Sequence, residues 1–486
     1  MNQLKKISVV GGGTAGFVAA LILKTRFPAS EIEIIRSDRI GIIGVGEGST
    51  EHWNEFMTYI GVNFKTVIKH CDATFKSGIM FKGWSKKDYL HSTSPDAEEK
   101  NGQYYPTYGK IIGENLGNRL LNPGSVWSNR VVTSYLTAPR GPFNQYHFNT
   151  NKLNEFLTKI ANLKGIKVID DEIVDILLDE SGAIDTLVGE QSNYQSDFYI
   201  DSTGFKKLLI SKLGAKWQSY SKYLKMKSAI MFQLPDTDEY NIWTTAQAMD
   251  YGWMFNIPVW GRSGNGYIFD SDYITAEQAK EEVEKFLGRK VEIGKQINFD
   301  PGALDKVWIK NCCAIGLSAS FVEPLEATSI GTSIQQTFLL MHRLPNYDEQ
   351  TISTYNLAVE EILTNIRDFV ILHYVTDKEN TQFWQDIKGM ELPEKLSSNL
   401  KRWRKNLPIA EDFRGVTDYT LFRDPHYIHI LNGLNLFDRD AIKAEYEMMH
   451  PKIKERAEDA IRNIRTLEQI TPTIGHKEFI TAIRSS

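Results

Sequence analysis

Cysteine is scarce: Cys71, Cys312 and Cys313 are the only ones in 486 residues. None has a Cys-x-x-Cys partner, so neither a disulfide frame nor a zinc site is readable; no metal is expected, and the three are read as buried thiols. Long apolar runs are missing as well. Nothing approaches the ~18 residues that would cross a bilayer, and the opening MNQLKKISVVGGG has no apolar segment ahead of a small-residue cleavage site, so a cytoplasmic protein is expected. Charge of one sign is not in excess: 56 basic and 61 acidic residues give a net charge of -5, which attracts neither nucleic acid nor an anionic membrane. Repeats, low-complexity tracts and Gly/Ser tethers are also lacking, so domains should interleave rather than follow one another along a linker.

What is present begins with a βαβ unit. KISVVGGGTAGFVAALILKTRF runs from a hydrophobic strand through a glycine turn into a helix, and EIEIIRSD supplies the next strand. Gly11-x-Gly13-x-x-Gly16 falls where a dinucleotide fingerprint requires it, the glycines letting a pyrophosphate approach the helix N-terminus. The acidic ribose ligand expected at the end of the second strand is replaced by Arg36, which suits a 2'-phosphate or leaves the ribose to another group. Two further clusters, IGVGEGST at 43–50 and DFYIDSTGFKKLL at 197–209, are not needed by a simple NAD domain and point to FAD in a hydroxylase-type fold.

Other segments carry mainly structural expectations. Residues 168–205 read as a β-meander, and Thr275 with Gln278 as a capping box on a helix that ends at Gly288. Asn265-Gly266 reads as a type I' hairpin turn. Helical periodicity dominates beyond about 340. ATFKSGIMFKGW at 73–84 reads as one strand with Phe75, Ile79 and Phe81 on one face and Lys76, Gly78, Met80, Lys82 and Trp84 on the other. Sharing a face with Met80 makes Lys76 partly buried, whereas Lys82 ends in water.

In chain order, GGGTAG, IGVGEGST, ATFKSGIMF, IDSTGF, GWMFNIP, GNGYIF and FVEPLEATSI resemble the flavin-dependent halogenases, in particular the tryptophan-halogenase group, over roughly residues 5–440. The resemblance implies an α/β (α+β) chain with a Rossmann-type FAD-binding, flavoprotein monooxygenase-like fold. Residues 1–375 would form the FAD module, with β-sheet substrate-side segments at about 75–150 and 215–300, and residues 376–486 a mainly helical region completing the substrate site. It implies FAD, delivered as FADH2 by a separate flavin reductase, with O2 and a halide ion as co-substrates. In such enzymes a flavin hydroperoxide oxidises halide to hypohalous acid, and a lysine, here Lys76, directs the electrophile onto an aromatic substrate.

Glu326 matches the family's catalytic glutamate, and Glu323 reads as structural. FAD contacts are implied for Gly11, Gly13, Thr14, Ala15, Gly16, Gly46, Glu47, Gly204, Leu317 and Ile330, and halide binding for Thr328 and Ser329. Trp253, Phe255, Ile257 and Pro258 match a Trp-x-Trp-x-Ile-Pro signature that keeps organic substrate from the flavin, with Phe255 replacing the second tryptophan. Ala327 and Ser329 also depart from the family's usual serine and glycine. The Tyr-Tyr pair that grips tryptophan is missing, and the nearest counterpart of the His-Pro-Phe sandwich is Tyr105, Pro106 and Thr107. An indole, phenol or aniline is therefore expected in place of free tryptophan, with Tyr105, Tyr108 and Trp84 as candidate walls, and a homodimer is the oligomeric expectation. An NAD(P)H-dependent flavin hydroxylase and a non-catalytic flavin-binding protein stand as the other readings.

Overall fold

The computed structural model describes residues 4–42, 47–92 and 129–486. Its first layer is a six-stranded sheet in the order Trp308–Ile309, Cys312–Ala314, Phe198–Asp201, Lys6–Val10, Glu31–Arg36, Lys167–Asp170. All pairs are parallel except the Trp308–Ile309 edge. The helix Thr14–Arg26 buries Gly16 through Leu23 without interruption. A segment apolar all round must be covered on both sides, and the long helix Thr328–Arg343 packs against it from the far side. The chain leaves Lys6–Val10 towards one neighbour and returns much later in Phe198–Asp201 on the other, which opens a crevice at the strands' carboxyl ends.

The second layer is a seven-stranded sheet in the order Ile293–Asn298, Ser228–Pro235, Arg262–Phe269, Gly252–Val259, Thr244–Ala248, Gly78–Lys82, Tyr89–Ser92. A small antiparallel sheet of Glu47–Gly48, Gln145–Phe148 and Thr74–Lys76 lies beside it. Beyond 328 the chain is helical down to His476–Ser485, apart from Thr473–Gly475, which pairs with Arg130–Val132. Among the described residues no helix is long and apolar enough to cross a membrane. Cys71, Cys312 and Cys313 are free and buried, and the Thr275–Gln278 capping box and the left-handed Gly288 cap are present.

Three expectations change. The strand expected over 73–84 is two strands in different sheets, Thr74–Lys76 and Gly78–Lys82, broken where Ser77 N–H bonds Ile242 O at 2.7 Å. Alternation therefore does not carry across Ser77, and Lys76 shares no face with Met80. The meander is confined to Ile173–Leu178, Ile184–Gly189 and Asn193–Tyr194, because Lys167–Asp170 and Phe198–Asp201 belong to the parallel sheet. Asn265-Gly266 is not a turn but mid-strand: Asn265 lies opposite Asn256 and accepts its side-chain N–H at 2.7 Å, while the Phe255 ring lies across Gly266 so closely that a Cβ there would sit 2.5 Å from it. The hairpin turns instead at Trp260 and Gly261, whose φ is +84°.

Candidate active site

The crevice of the parallel sheet is a cavity of about 950 Å3. Gly11, Gly13, Thr14, Ala15, Gly204, Leu317 and Ile330 all line it. Gly11 has φ +117°, and a Cβ there would sit 2.2 Å from Ser202 O, so no other residue fits. Gly16 lies behind the lining, where its missing side chain lets the helix pass within contact of Gly11 O. Gly13 caps the helix with no side chain, and a Cβ placed on it would meet nothing within 4 Å. Free first-turn N–H groups therefore open into a chamber of dinucleotide size, which fits FAD. Arg36 lines the chamber as well, held by Thr158 Oγ1 at 3.1 Å and Asp38 at 3.1 Å. Gly46 lies outside the described residues; of Glu47 only the backbone is described, paired with Phe148.

The helix Thr328–Arg343 begins at the rim of this chamber. Its cap, Ala327, is left-handed at φ +54° and offers no side-chain bond, so its first-turn N–H groups are uncapped. Thr328 and Ser329 line a second cavity of about 20 Å3 with Gly316, Leu317 and Thr332, room for one water-sized species, and Ser329 lines the large chamber too. A single small anion suits such a place.

On the other side of the same turn stand the two predicted catalytic groups. Lys76 is 1% exposed, and its Nζ donates to Ser49 O at 2.8 Å. Gly48 sits between it and the helix cap: a Cβ there would lie 3.7 Å from Lys76 Nζ and 3.4 Å from Ala327 Cβ. Burial lowers the Lys76 pKa to about 8 against the opposing pull of Glu326 and Glu51. Between about pH 8 and 10.5 the unfolded chain holds a proton that the folded lysine has released. Stability accordingly rises with pH across that window. We expect the unfolding free energy of the wild type to climb relative to that of Lys76→Met over this range, by about 3 kcal/mol in all, in denaturant titrations at stepped pH; parallel curves would mean an unshifted lysine.

Glu326 is 2% exposed and fully engaged. His91 Nδ1 lies 3.0 and 2.9 Å from its two oxygens, and His373 Nε2 lies 2.7 Å from Oε1. Burial pushes the carboxyl up, but the two imidazoles outweigh it and hold Glu326 well below the usual carboxylate range. His373 Nδ1 faces Phe369 O at 2.8 Å and so carries a hydrogen, while its Nε2 is the ring atom turned to the carboxylate. Behind His91, its Nε2 meets His426 Nδ1 at 3.0 Å. The sequence did not single out His91, His373 or His426. The only signal was that a carboxylate in an apolar run needs a partner, and none of these histidines stands at a motif spacing that would select it.

The Gly252–Val259 strand ties into the lysine strand. Thr74 Oγ1 donates to Pro258 O at 2.6 Å and accepts from His147 Nδ1 at 3.2 Å. Trp253, Phe255, Ile257 and Pro258 are all buried on this strand. Trp84 is fully buried, donating to Ala246 O at 3.0 Å beside Tyr374 and Trp384, and is core rather than wall. Tyr105, Pro106, Thr107 and Tyr108 lie outside the described residues. Lys82 is half-buried at its strand end.

A dinucleotide chamber, with a buried lysine and a buried glutamate beside the helix start at its rim, marks the chain as a flavoprotein. The chain matches the tryptophan halogenase family over residues 6–448. It is 31% identical to a 7-chloro-L-tryptophan 6-halogenase of Kutzneria sp., over 87% of this chain and 89% of that one. A tryptophan halogenase of Shewanella frigidimarina superposes with a TM-score of 0.92 at 25% identity, covering 100% and 98% of the two chains. A flavin-dependent halogenase from Brevundimonas sp. gives 0.85 at 26% identity, covering 99% of each. The chain belongs to the tryptophan halogenase family and is an enzyme, a flavin-dependent halogenase using FADH2, halide and O2. Enzymes of this class depend on a separate flavin reductase and act on an aromatic substrate.

Proposed function

We propose that the protein halogenates an electron-rich aromatic small molecule, an indole, phenol or aniline, with Lys76 and Glu326 as the catalytic residues. The observation that carries this reading is the single turn at Glu326–Ser329: its helix start borders the dinucleotide chamber, and its other flank reaches Lys76 and the Glu326 carboxylate. Reduced FAD and O2 supply the oxidising equivalent that turns halide into hypohalous acid. Thr328 and Ser329 hold the halide, and the Trp253–Pro258 strand keeps the organic substrate on the lysine side. Lys76 either hydrogen-bonds hypohalous acid or, as the free amine, takes its halogen and releases water. The ring then displaces the halogen from nitrogen, and Glu326 receives the ring proton, which returns to the amine.

The helical region from 376 onward contributes His426 beside His91 and stacks Phe422 on Phe369 at 3.9 Å, which supports its role in completing the substrate chamber. Free tryptophan, named for several relatives, is not our reading, because the Tyr-Tyr pair is lacking. Cytoplasmic residence and a homodimer belong to the same proposal. The test is a mass-spectrometric screen of indoles, phenols, anilines and tryptophan with a flavin reductase and each halide in turn. We expect a halide-dependent mass shift on one aromatic class; steady NADPH oxidation without added reductase and hydroxylated products in its place would favour the hydroxylase.

A further inference from the structure

The ribose ligand of a dinucleotide fold is an acid about twenty residues beyond the glycines, at the end of the second strand. Here that place is Arg36, the last residue of Glu31–Arg36. Its side chain is engaged locally. The stem lies across Gly12, where a Cβ would sit 2.4 Å from Arg36 Cδ. Nη1 donates to Thr158 Oγ1 at 3.1 Å and to Asn154 Oδ1 at 3.4 Å. Asn154 in turn donates to Gly12 O at 2.6 Å, so the support of the arginine is tied to the glycine turn itself. Nε is left for Asp38 Oδ1, 3.1 Å away.

Asp38 is thereby set beside the strand end. Its backbone N–H is fixed by Asp170 Oδ1 at 2.9 Å, and the residue lines the dinucleotide chamber. Only its Oδ1 is taken; Oδ2 accepts no hydrogen bond among the described residues. Two other acids on this part of the lining are occupied. Asp171 accepts from the backbone of Gln191 and Ser192 and from the Tyr194 hydroxyl, and Glu172 accepts from Ser37 and Arg39. Glu155, on the helix Thr150–Leu163, is the remaining one. A 2'-phosphate at this place would meet the Asp38 carboxylate and a guanidinium already paired with it, whereas a free carboxylate oxygen is what a ribose hydroxyl can donate to.

We propose that Asp38, held by Arg36, is the acceptor for the adenosine ribose hydroxyls of FAD. The acid of the fingerprint is displaced two residues along the chain, onto the loop, and the arginine in its old place aims it. This concerns cofactor recognition alone and holds whichever substrate is halogenated.

The test measures binding of oxidised FAD and of its 2',3'-dideoxyadenosine analogue to the full chain by flavin fluorescence. The wild type should prefer FAD by about tenfold or more, the range for one hydrogen bond to a charged group. Asp38→Ala should bind the two alike while keeping its fold, since the bond to Asp170 is made by the backbone. Arg36→Gln, with Asp38 present but no longer pinned, should fall between them, and Glu155→Gln should match the wild type. The proposal is overturned by a wild type without the preference, by full preference in either Asp38→Ala or Arg36→Gln, or by its loss in Glu155→Gln. It is overturned as well if adenosine 2',5'-bisphosphate displaces FAD more readily than AMP does, which would make Arg36 a reader of phosphate.

Discussion

Glu326→Gln should lower halogenated product by about a hundredfold or more, the range for removing a positioned general base, while flavin oxidation continues. The amide keeps the shape but loses the charge. His91 and His373, whose ring nitrogens now face carboxylate oxygens, would face a neutral group and in part an NH2 donor. Removing one partner of a buried pair also costs on the order of 3 kcal/mol in stability, so thermal melts belong beside the kinetics. Product formation is read by chromatography at saturating reductase. A rate equal to that of the wild type would make Glu326 a purely structural carboxylate that holds the two imidazoles in place.

Lys76→Ala should separate two halves of the chemistry. Folding and flavin oxidation are expected to persist, because Lys76 is absent from the lining of the dinucleotide chamber. Halogenated aromatic product should disappear, and hypohalous acid should turn up in a soluble trap. The substitution also leaves Ser49 O without the Nζ donor that now sits 2.8 Å away. Ring halogenation continuing at the wild-type rate in Lys76→Ala would end the assignment and shift attention to the histidines around Glu326.

The dinucleotide half of the fold was legible because its signals are local: a glycine turn between a strand and a helix is readable within twenty residues of chain. Lys76 was legible for a different reason from the one the strand pattern suggested. Alternation through 73–84 gave it Met80 as a neighbour, whereas the chain changes sheets at Ser77, and only the resemblance marked the lysine as chemical. Asn265-Gly266 misled because its turn propensity is local while the buried Asn256–Asn265 pair is tertiary. The histidines at 91, 373 and 426 were beyond reach: His91 and His373 meet Glu326 across 235 and 47 residues of chain, and His426 meets His91 across 335.

The bond between Phe75 N–H and His476 Nε2, 3.1 Å long, spans 401 residues. His476 Nδ1 donates to Tyr240 O at 3.3 Å, which leaves Nε2 as the acceptor, and the strand beside it, Thr473–Gly475, is paired with Arg130–Val132. The residue next to the proposed catalytic lysine is thus pinned by a segment beyond position 448, where the family match stops. Contacts of such sequence separation are slow to close. The lysine strand therefore reaches its final setting late in folding, and a fragment cut at the family boundary would bind flavin on an intact parallel sheet yet present Lys76 on a strand with one anchor missing.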